Sequence, residues 1–277
     1  MKFTTPVITI EQFESLLNDS KLIILDCTIN KVGKSLSNEP LELIPNSRFF
    51  DLEHRFSDLR SDLPHTLIDE EHFTREAQLL GIDQDSIIVC YDRWGVYSSP
   101  RVWWMFKVMG VTDVYVLNGG IKAWKSKNQP IKSFYHISEN LGNFEAKLDE
   151  SWLANVNDVL EALPDHEIQI VDARSSARFY GEVDEPRPGL RKGHIPTSKN
   201  LPFELVLEAD YLIETIKLHS IFDSLNNHKK QMIYTCGSGV TASILALANA
   251  QVNCTFPIKV YDGSWAEWGK DEELPIE

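Results

Sequence analysis

The residues most capable of chemistry in this sequence lie in the stretch YTCGSGVTAS, residues 234–243. Cys236 follows a short apolar run that predicts a β-strand, and it precedes the pattern ASILALANA, which predicts a helix. The first turn of a helix presents backbone N–H groups and the positive end of the helix dipole, so a thiolate is stabilised there. Gly237 and Gly239 let the chain turn tightly enough for several amides to point inward. The stretch therefore predicts a cysteine that reacts as a thiolate.

Two other interpretations fit the same stretch. A free cysteine is most often a small buried hydrophobic residue, and the local pattern alone leaves that role open beside the nucleophile. Gly237, Gly239 and Ala242 also match the dinucleotide-binding pattern G-x-G-x-x-A, with Asp262 about twenty residues later. Only about 35 residues follow the turn, which is too few for the rest of a dinucleotide-binding domain. The dinucleotide interpretation is therefore disfavoured.

Six apolar runs predict the β-strands of the sheet that holds the turn with Cys236 in place. Each is short, rich in β-branched residues and followed by polar turn residues, as buried parallel strands are. They are LIILDC (22–27), SIIVCYD (86–92) and VYVLNGG (114–120) in the first half, and IQIVDAR (168–174), QMIYTCG (231–237) and IKVYDGS (258–264) in the second. Helical patterns lie between them, and one opens with the capping-box pair Thr9 and Gln12. The sequence predicts an α/β fold.

The two halves repeat one another at a nearly constant spacing. Aligning the runs places Asp92 opposite Cys236, 144 residues away. We therefore predict two tandem domains over residues 1–135 and 151–277, each a parallel β-sheet flanked by helices, joined by a linker over residues 136–150. Because Asp92 occupies the cysteine position, we predict that the first domain is a catalytically inactive copy.

The composition narrows the class of protein. A formal net charge of −14 argues against a partner made of nucleic acid, and the hydrophobic fraction of 43% is typical of a chain that buries a core. No stretch approaches the roughly 18 apolar residues of a membrane span, and the start MKFTTPVITIEQFESLL lacks the pattern of a secretory signal. We therefore expect a cytoplasmic protein that binds neither nucleic acid nor membrane.

The cysteines predict no metal site and no disulfide framework. Cys27, Cys90, Cys236 and Cys254 form no CxxC pair, and in a reducing compartment their thiols stay reduced. Cys90 lies inside a predicted strand, so we expect it in the core. Only Cys236 lies on a turn that stabilises a thiolate, which predicts that it is the only essential thiol.

Together these motifs resemble a known family, the tandem rhodanese-fold sulfurtransferases. The resemblance rests on the two α/β copies, on the single loop cysteine in the second copy, and on CGSGVTA before a helix, a loop similar to that of 3-mercaptopyruvate sulfurtransferases. It covers nearly the whole chain. The other matching stretches are FFDLE (49–53), YD (91–92), YSSPRVWWMF (97–106), DARSSARFYGEVDEPRPGLRKGHIPTSKNLPF (172–203) and YDGSWAEW (261–268).

The resemblance implies a two-step covalent transfer of sulfur. The Cys236 thiolate attacks the sulfur of 3-mercaptopyruvate, pyruvate leaves, and a thiol, cyanide or thioredoxin then takes the sulfur from the cysteine persulfide. The resemblance also implies that no cofactor or metal is needed and that the protein is a monomer. Thiosulfate as the donor, or a persulfide relay for a dedicated partner protein, is the alternative. Phosphatases that share the fold need an arginine where Ala242 stands, so that activity is excluded.

The same resemblance implies roles for residues around the nucleophile. Ser238, His65 and Glu53 correspond to a triad that relays a proton, although the family often has Asp where Glu53 stands. We predict these three residues and Cys236 as the catalytic set. The loop residues predicted to bind substrate are Gly237, Gly239, Val240 and Thr241.

Two arginines are predicted to hold the donor. By resemblance Arg178 and Arg187 bind the carboxylate of the donor, for which the planar guanidinium fork is well suited. The residues alone also allow an ordinary ion pair with the acidic side chains of EVDEPRP (182–188).

Overall fold

The structure, a computed structural model, describes residues 2–226, 229–252 and 257–277. Cys254 therefore lies outside the described residues. The chain divides into two compact units. Unit 1 comprises Met1–Asp58, Leu67–Leu148 and Ala209–Tyr211, and unit 2 comprises Leu59–Thr66, Asp149–Glu208 and Leu212–Glu277.

The described residues of unit 1 form a parallel sheet of five strands with helices packed on it. The strands are β1 (Val7–Ile8), β2 (Leu22–Asp26), β3 (Arg48–Phe49), β4 (Ile87–Tyr91) and β5 (Val114–Leu117), in the spatial order β1-β5-β4-β2-β3. The helices are α1 (Ile10–Glu14), α2 (Glu70–Leu79), α3 (Ser99–Val108) and α4 (Gly120–Ser126). The predicted capping box at the start of α1 is present, because Thr9 accepts from the Gln12 amide and Gln12 accepts from the Thr9 amide.

Strand β4 lies at the centre of unit 1 and is buried along its whole length. Ile87, Val89 and Tyr91 belong to one apolar cluster, and Ile88 and Cys90, which alternate with them, are buried as well. Burial of both faces is typical of a parallel sheet covered by helices on both sides. Trp103 and Trp104 of α3 are fully buried, and Cys90 of β4 is buried as predicted. Asp26 ends β2 opposite Tyr91 of β4, so polar residues begin where the apolar strands end.

Unit 2 repeats this arrangement. Its five-stranded parallel sheet, within the described residues, has the order β6-β12-β11-β7-β8. These strands are β6 (Leu153–Ala154), β7 (Ile168–Asp172), β8 (Lys199–Asn200), β11 (Gln231–Thr235) and β12 (Ile258–Tyr261). The helices are α5 (Val156–Ala162), α6 (Ser176–Phe179), α7 (Thr215–Asn226), α8 (Val240–Gln251) and α9 (Ser264–Trp268), with 3₁₀ turns at Glu150–Trp152 and Phe203–Val206. A separate hairpin consists of β9 (Leu207–Glu208) and β10 (Tyr211–Leu212).

The six apolar runs predicted as strands are β2, β4, β5, β7, β11 and β12, so the α/β prediction is confirmed. Sequence did not predict the two-residue strands at the sheet edges, because so short a segment carries no readable alternation of apolar and polar residues. Within the residues described here, no helix combines the length and the apolar character needed to cross a bilayer. The limits proposed for the domains and the linker stay a prediction.

Candidate active site

Cys236 lies at the carboxyl end of the central strand of unit 2. It directly follows β11, whose last residue, Thr235, pairs with Asp172 of β7. Three residues later Gly239 caps α8 with φ of 77°, a left-handed conformation that favours glycine. Cys236 is 2% exposed. The strand and the helix therefore hold the thiol at the edge of the sheet, close to the first turn of α8.

The turn that begins α9 holds the cysteine loop through four hydrogen bonds, two from backbone amides and two to a serine hydroxyl. The Trp265 amide donates to the Cys236 carbonyl at 2.9 Å, and the Ala266 amide donates to the Gly237 carbonyl at 3.0 Å. The Ser264 hydroxyl accepts from the amides of Cys236, at 3.3 Å, and Gly239, at 3.1 Å. The loop is thus bonded at both its ends to one neighbouring turn.

Ser238 is the point where two predicted site residues meet. Its Oγ lies 3.2 Å from Nδ1 of His65 and accepts from Nη2 of Arg187 at 3.4 Å. His65 belongs to the segment Leu59–Thr66, which is part of unit 2, and it adopts a left-handed backbone with φ of 60°. Ser238 thus lies between the imidazole of His65 and the guanidinium of Arg187.

The two predicted donor-binding arginines meet at Gly237. A β-carbon at Gly237 would lie 3.1 Å from Nη2 of Arg178 and 3.7 Å from Nη1 of Arg187. Two guanidinium groups therefore approach the residue next to the nucleophile, in the space that a side chain at position 237 would take. A pair of guanidinium groups is the kind of donor set that binds anions in proteins.

Arg178 also makes the ion pair that the sequence left open, but with a buried partner. Glu185, whose side chain is 2% exposed, accepts from Nε of Arg178 at 3.2 Å and from Nη2 at 2.5 Å. Its Oε1 also accepts from Nη1 of Arg174 at 2.8 Å, and Arg174 pairs with Asp172 at 2.7 Å. Burial by itself lowers the pKa of Arg174, but Asp172 and Glu185 outweigh burial and raise it. The network fixes Arg178 in place, since one buried carboxylate holds two of its nitrogens.

The remaining predicted residues are distributed as follows. Val240 is buried and Thr241 half-buried in the first turn of α8. Glu53 lies in unit 1, in the turn after β3, with an exposed side chain. The described residues of unit 2 thus bring Ser238 and His65 together, while the third member of the predicted triad stays a prediction. No cluster of three or more His, Cys, Asp or Glu placed to hold a metal occurs in the part of the chain that the structure describes.

Sequence reasoning missed two residues that shape this site, Ser264 and Arg174, and it left open which acidic side chain of EVDEPRP (182–188) pairs with Arg178. A signal for Ser264 was present, because the first copy has Gly120 where the second has this serine. Asp172 lies only two residues before Arg174, but the pairing of Arg174 with Glu185 had no signal, because a turn of unpredictable path separates those two residues.

Comparison with known proteins agrees with this geometry. The model of the rhodanese-like domain matches residues 9–127 and again residues 155–271. The chain belongs to the rhodanese family. The family and the enzyme class expected from the sequence, a tandem rhodanese-fold sulfurtransferase, are therefore confirmed.

Relatives in the rhodanese family cover nearly the whole chain. The 3-mercaptopyruvate sulfurtransferase of Escherichia coli K12 is 39% identical over 268 residues, which are 94% of this chain and 94% of that protein. The mitochondrial thiosulfate/3-mercaptopyruvate sulfurtransferase 1 of Arabidopsis thaliana is 34% identical over 98% of this chain and 78% of its own length. The crystal structure of SseA, a 3-mercaptopyruvate sulfotransferase from Escherichia coli, superposes with a TM-score of 0.83 at 34% identity, over 95% of this chain and 99% of that one.

Proposed function

We propose that this protein transfers the sulfur of 3-mercaptopyruvate to Cys236, releases pyruvate, and then passes the sulfur to a thiol acceptor. The observation that carries the proposal is the approach of Arg178 and Arg187 to Gly237, the residue next to the nucleophile. A carboxylate held by two guanidinium groups there leaves the thiol end of a three-carbon donor within reach of the Cys236 sulfur. The names of the relatives from Escherichia coli support the same donor.

The first step exchanges one bond to sulfur for another. The Cys236 thiolate attacks the thiol sulfur of the donor and forms an S–S bond, and the bond between that sulfur and C3 breaks. The electron pair of the broken bond stays on C3, which gives the enolate of pyruvate. One proton delivered to C3 completes pyruvate, and the enzyme keeps a persulfide on Cys236.

Ser238 and His65 are the proposed source of that proton. Their side chains lie 3.2 Å apart, so the hydroxyl can give its proton to the enolate and be reprotonated through the imidazole. Arg187 donates to the same oxygen and stabilises it while it carries negative charge. Glu53 remains the proposed carboxylate partner of this pair.

The second step returns the enzyme to its resting state. An acceptor thiolate attacks the outer sulfur of the persulfide, and the S–S bond breaks with its electron pair on the Cys236 sulfur. Thioredoxin, a small thiol or cyanide are the proposed acceptors. The cytoplasm as the location and a monomer as the assembly state are also proposals, and light scattering tests the second.

Thiosulfate is a second candidate donor, because the relative from Arabidopsis thaliana is named for both donors. The loop residues Gly237, Ser238 and Gly239 carry no charge, which disfavours the doubly charged thiosulfate. Two guanidinium groups nevertheless approach this loop, so thiosulfate also finds cations near the nucleophile. The ratio of the two specificities therefore decides between the donors.

Initial rates with both donors, measured side by side on one preparation, test the proposal. We expect kcat/KM for 3-mercaptopyruvate to exceed that for thiosulfate at least about tenfold, the effect of one charged hydrogen bond. Equal or better rates with thiosulfate would make that compound the donor. Fast persulfide formation in a single turnover, with slow transfer to cyanide, dithiothreitol and thioredoxin alike, would indicate a relay for another partner.

A further inference from the structure

Ser264 adopts a backbone conformation that serine rarely adopts. Its φ is 49°, in the left-handed region, and its side chain is fully buried at the start of α9. Left-handed backbone at a residue with a β-carbon is strained, and such strain concentrates at functional sites. Something other than the backbone must favour serine here.

The hydroxyl of Ser264 makes three hydrogen bonds, two of them with the cysteine loop. It accepts from the amide of Cys236 at 3.3 Å and from the amide of Gly239 at 3.1 Å. It donates to the carbonyl of Tyr261, the last residue of β12, at 2.8 Å. One oxygen atom thereby ties the residue that carries the nucleophile and the residue that caps α8 to the end of a neighbouring strand.

Unit 1 has the same turn without this hydroxyl. Gly120 follows β5 as Ser264 follows β12, and its φ of 52° is nearly the same. A β-carbon at Gly120 would collide with the carbonyl oxygen of Asp92 and would lie 2.7 Å from that of Gly95. Glycine therefore suffices for this backbone, and the serine appears in the unit whose loop carries the cysteine.

We infer that Ser264 is a positioning residue for the nucleophile. By holding both ends of the Cys236–Gly239 loop, it fixes the sulfur against the first turn of α8 before the donor binds. A displacement of about 1 Å at a reacting atom lowers a rate by roughly a hundredfold, so loss of this anchor slows the attack on sulfur. Donor binding depends on Arg178 and Arg187, which Ser264 does not contact through any bond described here. The inference rests on the proposed function only for the choice of donor.

Two variants separate the hydroxyl from the backbone strain. Ser264→Gly removes the hydroxyl and also the strain, whereas Ser264→Ala removes the hydroxyl and keeps the β-carbon at positive φ. Both variants leave the buried amides of Cys236 and Gly239 without their acceptor, so we expect both to lower the Tm. Ser264→Ala should lower it more than Ser264→Gly, because alanine keeps the backbone strain. Both should form the persulfide about 10- to 100-fold more slowly in a single turnover, with a Kd for the donor within about twofold of the wild type.

Ser243→Ala is the matched control. Ser243 is also fully buried, and its hydroxyl donates to the carbonyl of Gly239 at 2.8 Å inside α8, where it restrains no loop amide. Its rate of persulfide formation should stay within about threefold of the wild type. A slowing in this variant equal to that in Ser264→Gly would overturn the inference, because any buried hydroxyl would then have the same effect. The inference would also be overturned if Ser264→Gly formed the persulfide at the wild-type rate, or if the rate of persulfide formation followed the Tm across the variants.

Amide hydrogen exchange tests the anchor without any donor. In Ser264→Gly the amides of Cys236 and Gly239, resolved by NMR, should exchange at least about tenfold faster than in the wild type, because both lose their acceptor. Unchanged exchange would overturn the inference even if 3-mercaptopyruvate proves to be the donor. If the amides of Cys236 and Gly239 exchange faster in Ser264→Gly, but the wild type is inactive with 3-mercaptopyruvate, the anchor stands and only the proposed function is refuted.

Discussion

The loops that follow the central strands of the two units carry different side chains at the same position. In unit 1 the carboxylate of Asp92 turns back onto the start of α3, and its Oδ2 accepts from the amides of Tyr97 at 2.8 Å, Ser98 at 3.0 Å and Ser99 at 2.9 Å. It also accepts from the hydroxyl of Ser99 at 2.7 Å. In unit 2 the same position carries Cys236, next to the first turn of α8.

This difference shows how one turn serves either structure or chemistry. In unit 1 the carboxylate of Asp92 is fully buried and accepts from the amides of the turn. These amides have no donor left for another anion. Where a thiol takes the place of the carboxylate, the negative charge lies on an atom that can attack and can accept sulfur. The same turn of the fold thus carries a hydrogen-bonded carboxylate in unit 1 and a thiol in unit 2, and one side chain distinguishes the two.

Replacing Cys236 has the largest expected effect on activity, and a cysteine placed at position 92 should not restore that activity. Cys236→Ser should lower sulfurtransferase activity by at least about a thousandfold, because an alcohol at this turn forms no persulfide. Incubation with the donor should add about 32 Da, one sulfur atom, to the Cys236 peptide of the wild type only. Asp92→Cys in the Cys236→Ser background should stay inactive. Activity there, or sulfur on another cysteine, would contradict the assignment of unit 1 as the inactive copy.

Removing the carboxylate from unit 1 should affect stability more than chemistry. Asp92→Ala leaves four amides, including that of Trp94, and one hydroxyl without their acceptor, so the free energy of unfolding should fall on the order of 4 kcal/mol. Asp92→Asn keeps one acceptor oxygen and should lose about half as much. Chemical denaturation measures both. A loss below about 1 kcal/mol in Asp92→Ala would mean that water satisfies these donors.

The residues that end β2 and β7, Asp26 and Asp172, also predict a difference in how the stability of the two units depends on pH. Asp172 of unit 2 pairs with Arg174, whereas the counterpart Asp26 of unit 1 is bonded to Thr28 and Tyr135 and has no cation among these partners. Burial raises the pKa of Asp26 to about 6, Thr28 and Tyr135 oppose that rise, and Asp92 adds to it.

Asp26 should therefore make the protein less stable as the pH rises. Its folded pKa lies above the unfolded value of about 3.9, so the penalty is absent below about pH 4 and complete above about pH 6 to 7. About two pKa units correspond to on the order of 3 kcal/mol. Asp26→Asn should stabilise the protein more at pH 8 than at pH 5, by Tm. The matched change Asp172→Asn should destabilise it, because Arg174 loses its partner. Equal effects of Asp26→Asn at both pH values would refute the raised pKa.

The arginines found beside the unit 2 loop give the smallest expected effect. Arg178→Ala or Arg187→Ala should lower kcat/KM for 3-mercaptopyruvate about 10- to 100-fold, because each removes a charge-assisted hydrogen bond of about 1.5–3 kcal/mol. Transfer from a preformed persulfide to thioredoxin should change less, as stopped-flow measurements on preloaded enzyme can show. Equal losses in the two half-reactions would argue against a role in binding the donor.

The sequence by itself determined the strands and the repeat, and it predicted the nucleophile. Runs such as LIILD and QMIYT are strands because β-branched apolar residues buried on both faces give a local signal, and the spacing between Asp92 and Cys236 gave the duplication. Cys236 could be predicted as the nucleophile because its own neighbours, Gly237, Gly239 and the start of a helix, together with the family resemblance, favour a reactive cysteine.

Only the tertiary structure decided which distant residues surround that turn. Ser264 holds the loop from the start of α9, 28 residues after Cys236, and His65 reaches Ser238 across 173 residues of sequence. Glu185, not a surface carboxylate, holds Arg178, because burial selects one acidic residue out of several in EVDEPRP. Contacts of this kind depend on the conformation of several loops between the strands. Tertiary packing sets that conformation, so no local sequence pattern predicts it.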